Sequence, residues 1–105
     1  GLSGDFRIGL NETSIGLALP VTGLELARDR LVAAIFQRAT INAELFSPED
    51  ALLAGYLDRV EDPVDFDSAI IQASEILAAL DFYAFAETKR RVLQSILNCI
   101  VALES

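Results

Sequence analysis

The run Gly9-Leu10-Asn11-Glu12-Thr13-Ser14-Ile15-Gly16-Leu17-Ala18-Leu19-Pro20-Val21-Thr22-Gly23 decides how this chain is read. The breakers Gly16, Pro20 and Gly23 are threaded through Ile15, Leu17 and Leu19, a mixture that describes a buried loop delivering the chain into a helix. Thr22 is the candidate cap. Beyond it Leu24, Ala27, Leu31 and Ala34 recur at helical spacing with Ile35 beside them, while Glu25, Arg28 and Asp29 take the other face. The spacing predicts a helix from Leu24 to about Gln37. Within the loop one carboxylic acid, Glu12, is flanked by Leu10 and Ile15.

Before this run, Phe6, Ile8 and Leu10 alternate with Asp5, Arg7 and Gly9, a period of two that suits a short strand. After it, Ser47-Pro48-Glu49-Asp50 has the form of a helix start: a hydroxyl cap, proline at the first position, and acids where the helix dipole favours them. Phe46 is placed to staple against Ala51. Gly55 supplies a left-handed residue to end that short helix, and Tyr56 to Val60 alternate as a second strand. The acids and proline of Glu61-Asp62-Pro63-Val64-Asp65 make the best boundary, separating residues 1–62 from 63–105. The second part is helical throughout. One stripe runs through Ile70, Ala73, Leu77 and Leu80 and another through Val92, Ile96, Cys99 and Leu103, which predicts a pair of helices joined near Asp81. Two short strands cannot bury a face by themselves, so the helices must pack on one another or on a sheet that lies elsewhere.

At 105 residues the chain makes one small domain at most, and a chain of this size buries only ~60–65% of its unfolded surface. Its mean hydropathy is +0.40 and 52% of its residues are hydrophobic, more apolar side chain than a lone small domain hides, which suggests part of something larger. Sixteen acids against eight bases give a net charge of -8, and so acidic a chain lacks the cationic surface that nucleic-acid backbones require. The absence of histidine removes Ser-His and Cys-His nucleophile pairs and imidazole zinc sites, and a single cysteine removes the remaining zinc frameworks. No metal is expected. Cys99 lies among Ile96, Leu97, Ile100 and Val101, so a buried, inert thiol in a reducing, cytoplasmic compartment is the expectation. No run approaches the ~18 apolar residues of a membrane span, and Gly1 to Asp5 lack the basic and apolar regions of a signal peptide.

Gly9 to Leu17, followed by Pro20, Gly23 and Leu24-Glu25-Leu26-Ala27-Arg28, resembles the crotonase superfamily, the enoyl-CoA hydratases and isomerases. Further stretches agree in order and spacing. Ile41-Asn42-Ala43, Ser47-Pro48-Glu49-Asp50-Ala51 and Ala54-Gly55-Tyr56-Leu57-Asp58-Arg59-Val60 are similar to the family's segment in which a short helix ends in glycine and a strand follows. Thr88-Lys89 is similar to its closing region. Ser3 to Ile8 resemble the strand that follows the family's Gly-rich turn and helix. The resemblance covers nearly the whole chain but only the C-terminal part of the family's length. It implies an α/β fold, the C-terminal part of a crotonase-like ββα spiral, mostly helical in these residues. Both oxyanion-hole amides and the first of two catalytic glutamates would lie upstream of Gly1. The connection between Asp5 and Glu12 is also shorter than family members usually have.

By the same resemblance Glu12 occupies the position of the second family glutamate, which exchanges a proton with the substrate's α-carbon. Hydrating an α,β-unsaturated thioester, a lyase reaction of fatty-acid metabolism, or moving its double bond needs such a proton carrier together with donors for the enolate oxygen. A carboxyl at the edge of an apolar loop suits the task, because desolvation raises its pKa toward the working pH. Leu19, Pro20 and Val21 would wall the acyl pocket. The substrate would be an acyl-CoA thioester, with coenzyme A part of the substrate and no separate cofactor. Lys89-Arg90-Arg91 is either a solvated helix face or an attractor for a coenzyme A phosphate. The resemblance further implies a homotrimer or hexamer in which the helices of residues 63–105 serve assembly. A non-catalytic acyl-CoA-binding or assembly module of the same fold is the alternative. Without the oxyanion donors, these 105 residues by themselves are expected to be inactive.

Overall fold

A computed structural model describes residues 1–104. In chain order they form a 3₁₀ turn, Glu12–Ile15, and six helices: α1 Val21–Arg30, α2 Ala33–Thr40, α3 Pro48–Ala54, α4 Phe66–Ala78, α5 Phe82–Val92 and α6 Gln94–Glu104. The chain divides into two compact units, one spanning Gly1–Asp62 and the other beginning at Pro63.

In the first unit α3 forms as its sequence dictates. Ser47 is extended, its Oγ accepts the Asp50 N–H at 3.2 Å, Pro48 opens the helix, and Gly55 closes it in the left-handed region at φ 103°. Phe46 and Ala51 are buried in one cluster, as a staple requires. The long helix expected from Leu24 to Gln37 is instead two helices. The first starts early, at Val21 behind Pro20, with Thr22 inside its first turn rather than capping it. It breaks at Leu31 and Val32, whose ψ angles are 149° and 134°. The reason for the break lies across the unit: Val32 N–H donates to the Ala54 carbonyl at 2.9 Å, satisfying one of the orphan acceptors at the end of α3. Gly55 permits the approach, since a Cβ there would lie 2.7 Å from the Arg30 carbonyl oxygen. The guanidinium of Arg28 stacks over the Phe36 ring at 4.6 Å and fastens α1 to α2.

Neither expected strand forms among the described residues. Ile8 makes an antiparallel bridge with Phe46 and Leu2 a parallel one with Glu61, each isolated. A strand needs a ladder partner for successive N–H and C=O groups, and the segments Phe6–Leu10 and Tyr56–Val60 do not pair with each other. The core is small and built largely on alanine: Ala27, Leu31, Ala39, Phe46, Ala51 and Ala54 are buried, with Ile8, Leu10, Ile35, Phe36, Tyr56 and Leu57 packed around them. Alanine brings helix backbones close but leaves larger apolar residues outside. The loop expected to be buried is therefore mostly exposed, with Ile15, Leu17 and Val21 each more than half accessible.

The second unit holds three helices rather than a pair. Asp81 caps α5, its Oδ1 accepting the Ala84 N–H at 2.8 Å, and the chain breaks again at Leu93 before α6. Of the stripes expected to be buried, only Ala73 and Ile96 turn inward. In α4 the half-buried positions are Phe66, Ala69 and Ala73, and in the last segment Leu93, Ile96 and Ile100 turn in. Ile70, Leu77, Leu80, Val92 and Leu103 are exposed. So is Cys99, against its expected burial. These helices are apolar on more than one face, and spacing does not say which face their own unit uses. Among the described residues no single helix is long and apolar enough to cross a membrane.

Candidate active site

Glu12 opens the 3₁₀ turn, whose form is set by short-range polar contacts. Ser14 donates to the Asn11 carbonyl from both N–H and Oγ, at 3.0 and 2.6 Å, and Leu17 N–H returns to the Glu12 carbonyl at 2.8 Å. Gly16 closes the turn in the left-handed region at φ 83°. The turn is anchored by Thr13, whose Oγ1 donates to the Thr40 carbonyl at 3.2 Å. That carbonyl is an orphan of the last turn of α2. Thr40 itself is buried, and its Oγ1 donates back to the Phe36 carbonyl at 2.8 Å.

The carboxyl so placed is half-buried, and its Oε2 is shut away from solvent without a hydrogen-bond partner. The phenol oxygen of Tyr56 is in the same condition. Tyr56 follows Gly55 and lays its ring 5.8 Å from that of Phe46. Burial, and after it the negative charge of Glu12, hold the Tyr56 phenol above the ordinary tyrosine range. Sequence reading missed Tyr56, which stands in what reads as an alternating strand. The signal available was a polar-tipped aromatic immediately after a helix-ending glycine, where the chain turns back toward the core.

Beside the turn lies an open, apolar groove of about 510 Å³ lined by Thr13, Gly16, Leu17, Ala18, Leu19, Leu24, Thr40 and Ile41. Of the three residues expected at an acyl pocket, Leu19 lines this groove; Pro20 and Val21 are exposed and do not. Glu12 is also absent from its walls, although its neighbour Thr13 forms one. In the second unit a groove of about 430 Å³ is lined by Leu80, Asp81, Ala84, Phe85, Thr88, Lys89 and Val92. Of the basic triplet, Arg90 and Arg91 both pair with Glu87 within α5, at 2.5 and 3.2 Å. The Glu87 carboxyl is accordingly held below its ordinary range, chiefly by Arg90. Lys89 is the member that reaches a groove.

An open apolar groove thus lies beside a turn that carries a sheltered carboxyl, and several solved structures share the fold in which the two occur. An enoyl-CoA hydratase/isomerase family protein from Pseudomonas syringae is similar to this chain at 40% identity and a TM-score of 0.94, over 97% of this chain and 44% of its own. A probable enoyl-CoA hydratase from Mycobacterium tuberculosis H37Rv is similar at 34% identity and a TM-score of 0.90, over 96% and 43%. The human mitochondrial delta3-delta2-enoyl-CoA isomerase, at 24% identity and a TM-score of 0.87 over 98% and 41%, shares the fold. No family model matches the chain, and no curated protein matches it by sequence. The chain belongs to the enoyl-CoA hydratase/isomerase family, the crotonase superfamily. It spans less than half the length of these relatives, consistent with a C-terminal, mostly helical portion of the crotonase fold.

Proposed function

We propose that this chain carries the proton-transfer carboxylate of an enzyme acting on acyl-CoA thioesters, with Glu12 exchanging a proton at the α-carbon. The observation that supports it best is the state of Glu12: Oε2 is withdrawn from water and unpartnered on an anchored turn beside an apolar groove. A half-buried carboxylate with no direct protein partner on its inner oxygen is available to a carbon acid as a general base. In a hydratase its protonated form delivers a proton to the α-carbon as water adds at the β-carbon and gives up its own proton to a second base, and in the reverse dehydration the Glu12 carboxylate removes that α-proton. In an isomerase it carries the proton from one carbon to another. Leu19 belongs at the acyl chain, and Pro20 and Val21 shape the turn into α1 rather than the groove wall. Coenzyme A enters as part of the substrate, and no separate cofactor is invoked. The exposed apolar helices of the second unit suit a homotrimer or hexamer. A reducing, cytoplasmic location accords with one unpaired cysteine.

The test is hydration of crotonyl-CoA, followed by loss of ultraviolet absorbance, together with isomerisation of a 3-enoyl-CoA, on the complete polypeptide and its Glu12→Gln variant. A loss of about 10²–10⁴-fold in kcat is expected in the variant for whichever reaction the parent performs. Equal, negligible rates in both proteins on every enoyl-CoA tried would leave a non-catalytic acyl-CoA-binding or assembly module.

A further inference from the structure

Two side-chain atoms of the first unit that are shut away from water have no hydrogen-bond partner: Oε2 of Glu12 and the hydroxyl of Tyr56. Buried polar atoms are seldom left so, because each forfeits its hydration without return. The two are chemically complementary, since an ionised carboxylate only accepts and a phenol hydroxyl donates. They also belong to one side of the fold. Leu10, two residues before Glu12, and Tyr56 pack against the same core cluster. The Tyr56 ring lies on Phe46, and Phe46 is bridged to Ile8 in the segment that leads to Glu12. The charge of Glu12 reaches the phenol and, after burial, raises its pKa, so the hydroxyl keeps its proton and remains a donor across the neutral range.

We propose that Tyr56 is a positioning residue for Glu12, its hydroxyl donating to one ordered water that in turn donates to Oε2, and so presenting the other carboxyl oxygen, Oε1, to the reacting carbon. This rests on the reading of Glu12 as the proton carrier. A fixed inner oxygen confines the carboxyl to one rotamer, and the gain appears in the chemical step, not in substrate affinity, because Tyr56 does not line the groove assigned to the acyl chain.

The experiment compares the complete protein with Glu12→Gln, Tyr56→Phe and Tyr83→Phe, on carbon-13 tyrosine-labelled samples. Tyr83→Phe helps assign the Tyr56 phenol resonance by elimination. Tyr56→Phe keeps the ring against Phe46 and serves for kinetics, while the titration in Glu12→Gln needs no change at Tyr56. The expected results are a Tyr56 ionisation that moves to lower pH in Glu12→Gln, and in Tyr56→Phe a kcat about tenfold lower with KM within about twofold. An unmoved Tyr56 titration together with a wild-type kcat in Tyr56→Phe overturns the inference while an inactive Glu12→Gln leaves the catalytic reading standing. A fully active Glu12→Gln overturns both.

Discussion

Thr13 and Thr40 form a two-step relay at the base of the site. Thr13 Oγ1 donates to the Thr40 carbonyl at 3.2 Å, and Thr40 Oγ1 donates to the Phe36 carbonyl at 2.8 Å. The first bond ties the turn that carries Glu12 to the end of α2, and the second ties that end into the helix. Replacing Thr13 by valine keeps its shape and removes the donor. The expected cost is about 1 kcal/mol of stability, read as a lower urea midpoint. A fall in kcat larger than the change in KM should accompany it in the complete protein, since the carboxyl's support is loosened. A stability loss with unchanged kcat would show that the turn holds Glu12 without this anchor.

The two glycines that end elements in the first unit should respond very differently to alanine. Both have left-handed backbone, Gly16 at φ 83° and Gly55 at φ 103°, which costs a side chain about 1–2 kcal/mol. At Gly16 a new Cβ meets nothing within 4 Å, so Gly16→Ala should cost only that conformational amount. At Gly55 it would also lie 2.7 Å from the Arg30 carbonyl oxygen and 3.2 Å from the Leu31 Cα, both backbone. Gly55→Ala should therefore cost about 2–4 kcal/mol once overpacking is added. Denaturant melts of the two variants check the order; equal losses would contradict the close passage of α3 over the break at Leu31.

Helix α3 was fully legible in sequence because its signals are local: cap, proline, first-turn acids and terminal glycine all act within one or two turns. The break at Leu31 and Val32 was not, since its cause is a hydrogen bond to Ala54, more than twenty residues away. The two alternating segments carry strand patterns that find no ladder among the described residues, and pattern alone says nothing about partners. Cys99 and, apart from Ala73, the stripe from Ile70 to Leu80 are exposed for another reason. Where a helix is apolar on several faces, periodicity cannot choose the face that its own unit covers. In the site, Glu12 came from motif resemblance, whereas Tyr56 and the Thr13–Thr40 anchor are products of tertiary placement.

The raised pKa of Tyr56 makes a prediction about alkaline stability. A group whose pKa is higher in the folded state stabilises the fold fully below its unfolded pKa, about 10 for tyrosine, and loses that contribution as pH rises through the folded value. Wild-type protein should therefore lose stability more steeply than Tyr56→Phe as pH rises above about 10, the unfolded tyrosine value. Comparing urea midpoints of the two proteins across that range cancels every other titrating group. Parallel curves would mean that the phenol ionises as freely in the folded protein as in the unfolded chain. The acid side has the opposite sign: Glu44, hydrogen-bonded by Arg38 at 2.6 and 2.8 Å, is held below its ordinary range, so its contribution is present above the unfolded carboxylate value and lost on acidification.

The second unit leaves a large apolar surface uncovered by its own residues. Phe82 is 85% accessible, Tyr83 77% and Val92 70%, and among the described residues of this unit Ile96 is the buried large hydrophobe. Surfaces of this kind on a stable protein are interaction surfaces, or else they drive aggregation. If they are covered by further copies of the polypeptide, stability must depend on protein concentration, because dissociation exposes them. Sedimentation of the complete protein should give a closed oligomer at micromolar concentration, and the thermal midpoint should rise with concentration. Val92→Lys, on α5 and far along the chain from Glu12, should shift the distribution toward smaller species. A monomer at every concentration, with a midpoint that does not move, would assign the coverage of these helices to other parts of the same polypeptide.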